Sequence, residues 1–97
     1  MTFDEFLAIS KEGDTPPAGL GPELLALWHT KRDHWHQAHD VVNDLHTSMG
    51  SWIHAHLHRI EGDLGNAAYW YNRAGKSPIR TQEGLDEEWE ELVMANL

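Results

Sequence analysis

Cysteine is absent from the chain, so it has no disulfide and no thiol nucleophile, and for a domain this small a reducing, cytoplasmic compartment is the expectation. Basic residues are scarce. Seven Lys and Arg stand against sixteen Asp and Glu, a formal charge of −9 with histidine neutral, which repels phosphate backbones and anionic lipid; no nucleic-acid partner is expected. Long apolar runs are missing too: nothing approaches the roughly 20 apolar residues that span a bilayer. Met1-Thr2-Phe3-Asp4-Glu5-Phe6 lacks the basic start and apolar stretch of a signal peptide, so a protein with no membrane association is expected. Ser10, Ser48, Ser51 and Ser77 sit in no strand-turn-helix elbow, and Gly19-Leu20-Gly21 runs into Pro22 without a preceding strand. Nucleophilic hydrolase and nucleotide-binding functions lose their usual signatures with these absences.

What is present is a row of short amphipathic segments. Thr2 and Glu5 have the spacing of a capping box, with Phe3, Phe6 and Leu7 on the apolar side of a helix over 2–12. Pro16, Pro17, Gly19 and Gly21 make 13–21 a connector, and Pro22 suits the first turn of a second helix carrying Leu24, Leu25, Leu27 and Trp28. After a turn near Asp33, Trp35, Ala38, Val42 and Leu45 recur at helical spacing and predict a third helix to about Met49, with Gly50 as its stop. A fourth helix from Ser51 to about Glu61 groups Ile53, Leu57 and Ile60. A fifth, capped by Asp63, turns Tyr71 inward and leaves Tyr69 and Trp70 to cover adjacent surface. After the Ser77-Pro78 break, Leu85, Trp89, Leu92 and Val93 form the stripe of a last helix over 84–96. Asp86, Glu87, Glu88, Glu90 and Glu91 are expected around it as a solvated face. With no strand pattern, residues 1–97 read as one all-α domain of five or six helices.

The stretch Gly62-Asp63-Leu64-Gly65-Asn66-Ala67-Ala68-Tyr69-Trp70-Tyr71-Asn72-Arg73-Ala74 resembles the second helix of a tetratricopeptide-type hairpin, because Ala67, Tyr71 and Ala74 match its small-aromatic-small spacing. Ala38, Val42 and Leu45 give a fainter copy 29 residues earlier, short of the repeat's period of about 34. His54-Ala55-His56 stands where the repeat's first helix has Leu-Gly. The longer string from His58 to Gly75, containing His58-Arg59, Glu61-Gly62-Asp63, Asn66-Ala67 and Tyr69-Trp70-Tyr71, is similar to one found in a group of small uncharacterised bacterial and fungal proteins. The resemblance implies a short right-handed stack of antiparallel helical hairpins over 22–78, with the helices at 2–12 and 84–96 as caps. It also implies a concave face that takes a protein or peptide.

In that arrangement Trp52, His56 and Arg59, at i, i+4 and i+7, face the groove, with Arg59 as anchor for a peptide carboxylate. The other reading packs Trp52 against a neighbouring helix and pairs Arg59 with a local acid. On the adjoining face His54, His58 and Glu61 have the spacing that offers three ligands from one helix to zinc or nickel. Ala55 stands where the zinc-protease signature has glutamate, so that enzyme class is not supported. His36, His39, Asp40 and His46 join such a site only if the third and fourth helices bring them near; otherwise these histidines bond neighbouring carboxylates. The sequence therefore leads to a non-enzymatic protein or peptide interaction module, for which no cofactor is predicted. A small metal-binding or histidine-based enzyme at His54, His58 and Glu61 is one alternative, and a structural homo-oligomer, such as a homodimer, is the other.

Overall fold

In the computed structural model, which describes residues 1–97, the regular structure consists of six helices and no strand. Helix α1 (Phe3–Ser10) opens on a complete capping box: Thr2 Oγ1 accepts from the Glu5 N–H at 3.2 Å and Glu5 Oε1 accepts from the Thr2 N–H at 3.0 Å. Pro22 starts α2 (Pro22–Lys31), where its missing N–H is no loss. Asp33, in the left-handed region at φ 59°, turns the chain into α3 (Trp35–Asn43). Thr47 caps α4 (Ser48–Ile60), accepting from the Gly50 N–H at 2.9 Å. Asp63 caps α5 (Leu64–Arg73) by accepting from the Asn66 N–H at 3.3 Å, and α6 (Leu85–Asn96) follows the Pro78 break.

The boundary between α3 and α4 corrects the sequence reading. Helix α3 stops at Asn43 and α4 begins at Ser48, so Gly50 lies inside the first turn of α4 and ends nothing. Its role is close approach: a Cβ there would sit 2.5 Å from the Leu45 carbonyl oxygen and 2.7 Å from the Leu45 Cβ.

Helices α2 and α3, and α4 and α5, form the two most closely packed pairs, joined by the short turns 32–34 and 61–63. Ala55 and Ala67, both fully buried, let α4 and α5 approach, with Tyr71 closing the contact. The main core joins Phe6 of α1, Leu27 and Trp28 of α2, Val42 of α3, Ile53 and Leu57 of α4, and Leu92 of α6. Helices α1 and α6 are thus part of the core and close on one another, where capping of a stack was expected. The Phe3 and Phe6 rings each lie 5.9 Å from the Trp89 ring.

Indole N–H groups tie the helices together. Trp28 donates to the Ile9 carbonyl at 3.0 Å, Trp35 to Leu57 at 2.7 Å and Trp89 to Leu27 at 3.0 Å, each crossing between elements. Such a bond lets a large apolar ring be buried without leaving its one polar atom unpaired. No helix is long and apolar enough to cross a membrane.

Candidate metal centre

Two faces of α4 carry the polar side chains singled out in the sequence, and each meets a different neighbour. Trp52, His56 and Arg59 share a face as their spacing predicts, but that face is turned toward α6 and converges on Glu88. Glu88 Oε1 accepts from His56 Nδ1 at 2.6 Å and from Arg59 Nη1 at 2.8 Å; Oε2 accepts from Trp52 Nε1 at 3.1 Å and from the Tyr71 hydroxyl. Arg59 also donates to the carbonyls of Thr81, at 2.9 Å from Nε, and of Glu83. Arg59 is 1% exposed and Glu88 4%. Burial pushes the Glu88 carboxyl up, but the bonds from His56 and Tyr71, the His56 charge and the Trp52 N–H outweigh it and hold the group at about 2. Burial and the bond to Glu88 raise the Tyr71 hydroxyl well above its ordinary value. This is a closed internal network, the arrangement in which Trp52 meets a neighbouring helix and Arg59 pairs with an acid, and Arg59, at 1% exposure, does not face an open groove.

The opposite face of α4 carries His54 and, one turn on, His58. Helix α3 brings His39 against them, so that one ring nitrogen of each of the three lies within 4.8 Å of the others. His39 Nε2 and His54 Nε2 are 2.9 Å apart. Two imidazoles on a tetrahedral zinc, with Zn–N near 2.0–2.1 Å, hold their nitrogens about 3.3 Å apart, so this pair needs to move by only a few tenths of an ångström. His58 Nδ1 donates to Glu61 Oε1 at 2.7 Å, which fixes the proton on Nδ1 and leaves Nε2 as a lone-pair donor. The rings are held by stacking. Trp35 lies on His39 at 4.8 Å and 12°, Trp70 on His54 at 3.7 Å and 9°, and His54 on His58 at 5.0 Å and 22°. Burial, with the neighbouring His39 and His58, pulls His54 down to about 4; burial and His58 also lower His39. His54 is accordingly neutral at neutral pH, the state in which imidazole ligates metal.

Of the expected stripe, His54 and His58 come together, while Glu61 orients His58 and His39 takes the third position. His58, Glu61 and Asp63 form a looser second group, but Glu61 and Asp63 are exposed and Asp63 already caps α5. His36, Asp40 and His46 remain on exposed surface. Glu88 was assigned to the solvated side of α6, although Leu85, Glu88 and Leu92 fall on one row at i, i+3 and i+7; an acid on an apolar row is the signal that marks it. For His39 the signal is its place one turn after Trp35, matching a ring with its stacking partner. Comparison with family models, with curated proteins and with solved structures returns no match, so the site is read from its geometry and chemistry alone.

Proposed function

We propose that this domain is a metal-binding module that holds one divalent transition-metal ion, zinc or nickel, through His39, His54 and His58. The observation that carries the reading is the convergence of three imidazole nitrogens from two helices, two of them Nε2 atoms 2.9 Å apart. An all-imidazole donor set suits zinc and nickel and is a poor match to magnesium or calcium, which take oxygen ligands. Three protein ligands leave a coordination position for water or an added ligand, the donor count of catalytic zinc sites. Glu61 supports the set by accepting from His58 Nδ1 and so fixing the orientation of that ring. When both Nε2 atoms ligate, the single proton now shared between His39 and His54 moves to an Nδ1 or leaves to solvent.

The groove-binding reading finds little support, since Arg59 and His56 are committed to Glu88. No observation in the single chain favours the homodimer reading over the metal site. The test is metal content by mass spectrometry and titration calorimetry on protein prepared without a histidine tag. One zinc or nickel per chain, lost in His54→Ala and kept in His36→Ala and His46→Ala, is expected. Absence of stoichiometric uptake of either metal, or equal uptake by His54→Ala, overturns the proposal.

A further inference from the structure

Beside the histidine cluster, a cleft of about 460 Å³ opens between the start of α4 and the exposed side of α5. Ser48 and Ser51 line it from α4 and Tyr69, Trp70 and Arg73 from α5, while the end of α3 and the turn after it, with His46, complete the lining. The cleft begins one turn from the cluster: Ser51 precedes His54 by three residues, and Trp70 is the ring stacked on His54. Three features give it the chemistry of an anion site. Ser51 is 7% exposed, yet its hydroxyl makes no bond within the chain; since no fully enclosed side-chain polar atom in the protein lacks a partner, that hydroxyl opens into the cleft. Arg73 has no carboxylate partner, the ion pairs of the chain being His56–Glu88, His58–Glu61 and Arg59–Glu88. Its guanidinium is held over Tyr69 and Trp70 at 5.8 and 5.5 Å from the ring centres, with Nη1 donating to the Tyr69 hydroxyl at 3.2 Å. The third is the start of α4, a 13-residue helix whose cap Thr47 and first residue Ser48 line the same cleft.

We infer that this cleft binds a small aromatic carboxylate, the carboxylate meeting Arg73 and the Ser51 hydroxyl and the ring lying along Tyr69 and Trp70. The volume falls within the range of small-ligand pockets, and a guanidinium fork matches a carboxylate. In a chain of net −9 the cleft offers one guanidinium, Arg73, with His46 as the other basic side chain of its lining, which suits a single negative charge better than two. The inference does not depend on metal at the histidines, because none of its groups is a proposed ligand.

The probe is benzoate, titrated into metal-free protein in the presence of chelator and followed by amide chemical shifts, with inorganic phosphate in parallel. Saturable one-to-one binding is expected, with the largest shifts at Ser51, Trp70 and Arg73. Arg73→Ala weakens it about tenfold or more and Ser51→Ala by a smaller factor. Both side chains lie outside the core clusters, and an unchanged melting temperature checks that each variant is folded. Non-saturable benzoate shifts, binding unaltered in folded Arg73→Ala, or tighter binding of phosphate than of benzoate each overturns the inference. Because chelator is present throughout, failure of the metal proposal leaves this result unaffected.

Discussion

His39 and His54 meet Nε2 to Nε2 at 2.9 Å across the interface of α3 and α4, a contact that one proton serves and two protons break. A metal ion bound as proposed would replace that proton with a stronger link between the same two helices. Zinc or nickel is therefore expected to stabilise the fold, by about 2.7 kcal/mol at a free concentration a hundred times Kd. In a domain of this size that is a rise in melting temperature on the order of 10–20 °C. Scanning calorimetry with and without metal checks it, and His39→Ala is expected to lose the rise.

Glu61 touches only the proton side of His58, so its removal separates ligand orientation from fold stability. Its side chain is 40% exposed, and Glu61→Gln is expected to leave the metal-free melting temperature nearly unchanged. Metal affinity falls by about 10–100-fold, the usual effect of losing a partner that orients a ligand. Competition with a chromophoric chelator measures it.

Glu88 neutralises a guanidinium that is 1% exposed. Glu88→Ala leaves Arg59 buried without its counter-charge, and a loss of about 3–5 kcal/mol in urea unfolding is expected. Replacing both, as Arg59→Met with Glu88→Leu, removes the unpaired charge but leaves the donors of Trp52, His56 and Tyr71 without an acceptor, so only part of the loss is expected to be recovered.

The same carboxyl sets part of the acid response. It titrates at about 2 in the fold against 4.5 ordinarily, so the unfolded chain binds the proton more readily. Its stabilising contribution is complete above pH 4.5 and is lost as pH falls from there through about 2. Glu88→Gln is expected to flatten the stability profile within that window and leave its neutral limb unchanged in slope, as urea unfolding at a series of pH values would reveal.

Two helix glycines are expected to respond in opposite directions. Gly50→Ala drives a methyl into the Leu45 backbone and costs about 1–3 kcal/mol. Gly65 in α5 has nothing within 4 Å of its Cβ position, and Gly65→Ala stabilises by up to about 1 kcal/mol through helix propensity. Thermal unfolding of the two variants checks both signs.

Features set by neighbours three or four residues apart were legible in the sequence. The Thr2 and Glu5 box, the Asp63 cap, the inward Tyr71 and the shared face of Trp52, His56 and Arg59 all appear where their spacing puts them. What that shared face would meet was not legible, because its partner Glu88 lies 29 residues beyond Arg59. Helical spacing tells which side chains travel together and is silent on the helix they travel toward. Likewise His54 and His58 declared themselves by sharing a face of one helix, whereas His39 needed the docking of a second. Gly50 was misread for a related reason: glycine near a helix end signals a stop, but here it answers to the Leu45 backbone passing across it.

The placement of Glu88 in α6 also sets the order in which the molecule can assemble. While α6 is still undocked, Arg59 and His56 have no acceptor, the carbonyls of Thr81 and Glu83 are out of reach, and the inner face of α4 must stay hydrated. Residues 1–80 already contain the α2–α3 and α4–α5 pairs, but the inner face of α4 is completed only when residues 81–93 dock. The contacts 29 to 36 residues apart belong to the same docking as Trp89 and Leu92, so loss of α6 is expected to expose the buried charges of α4 as well as the apolar core.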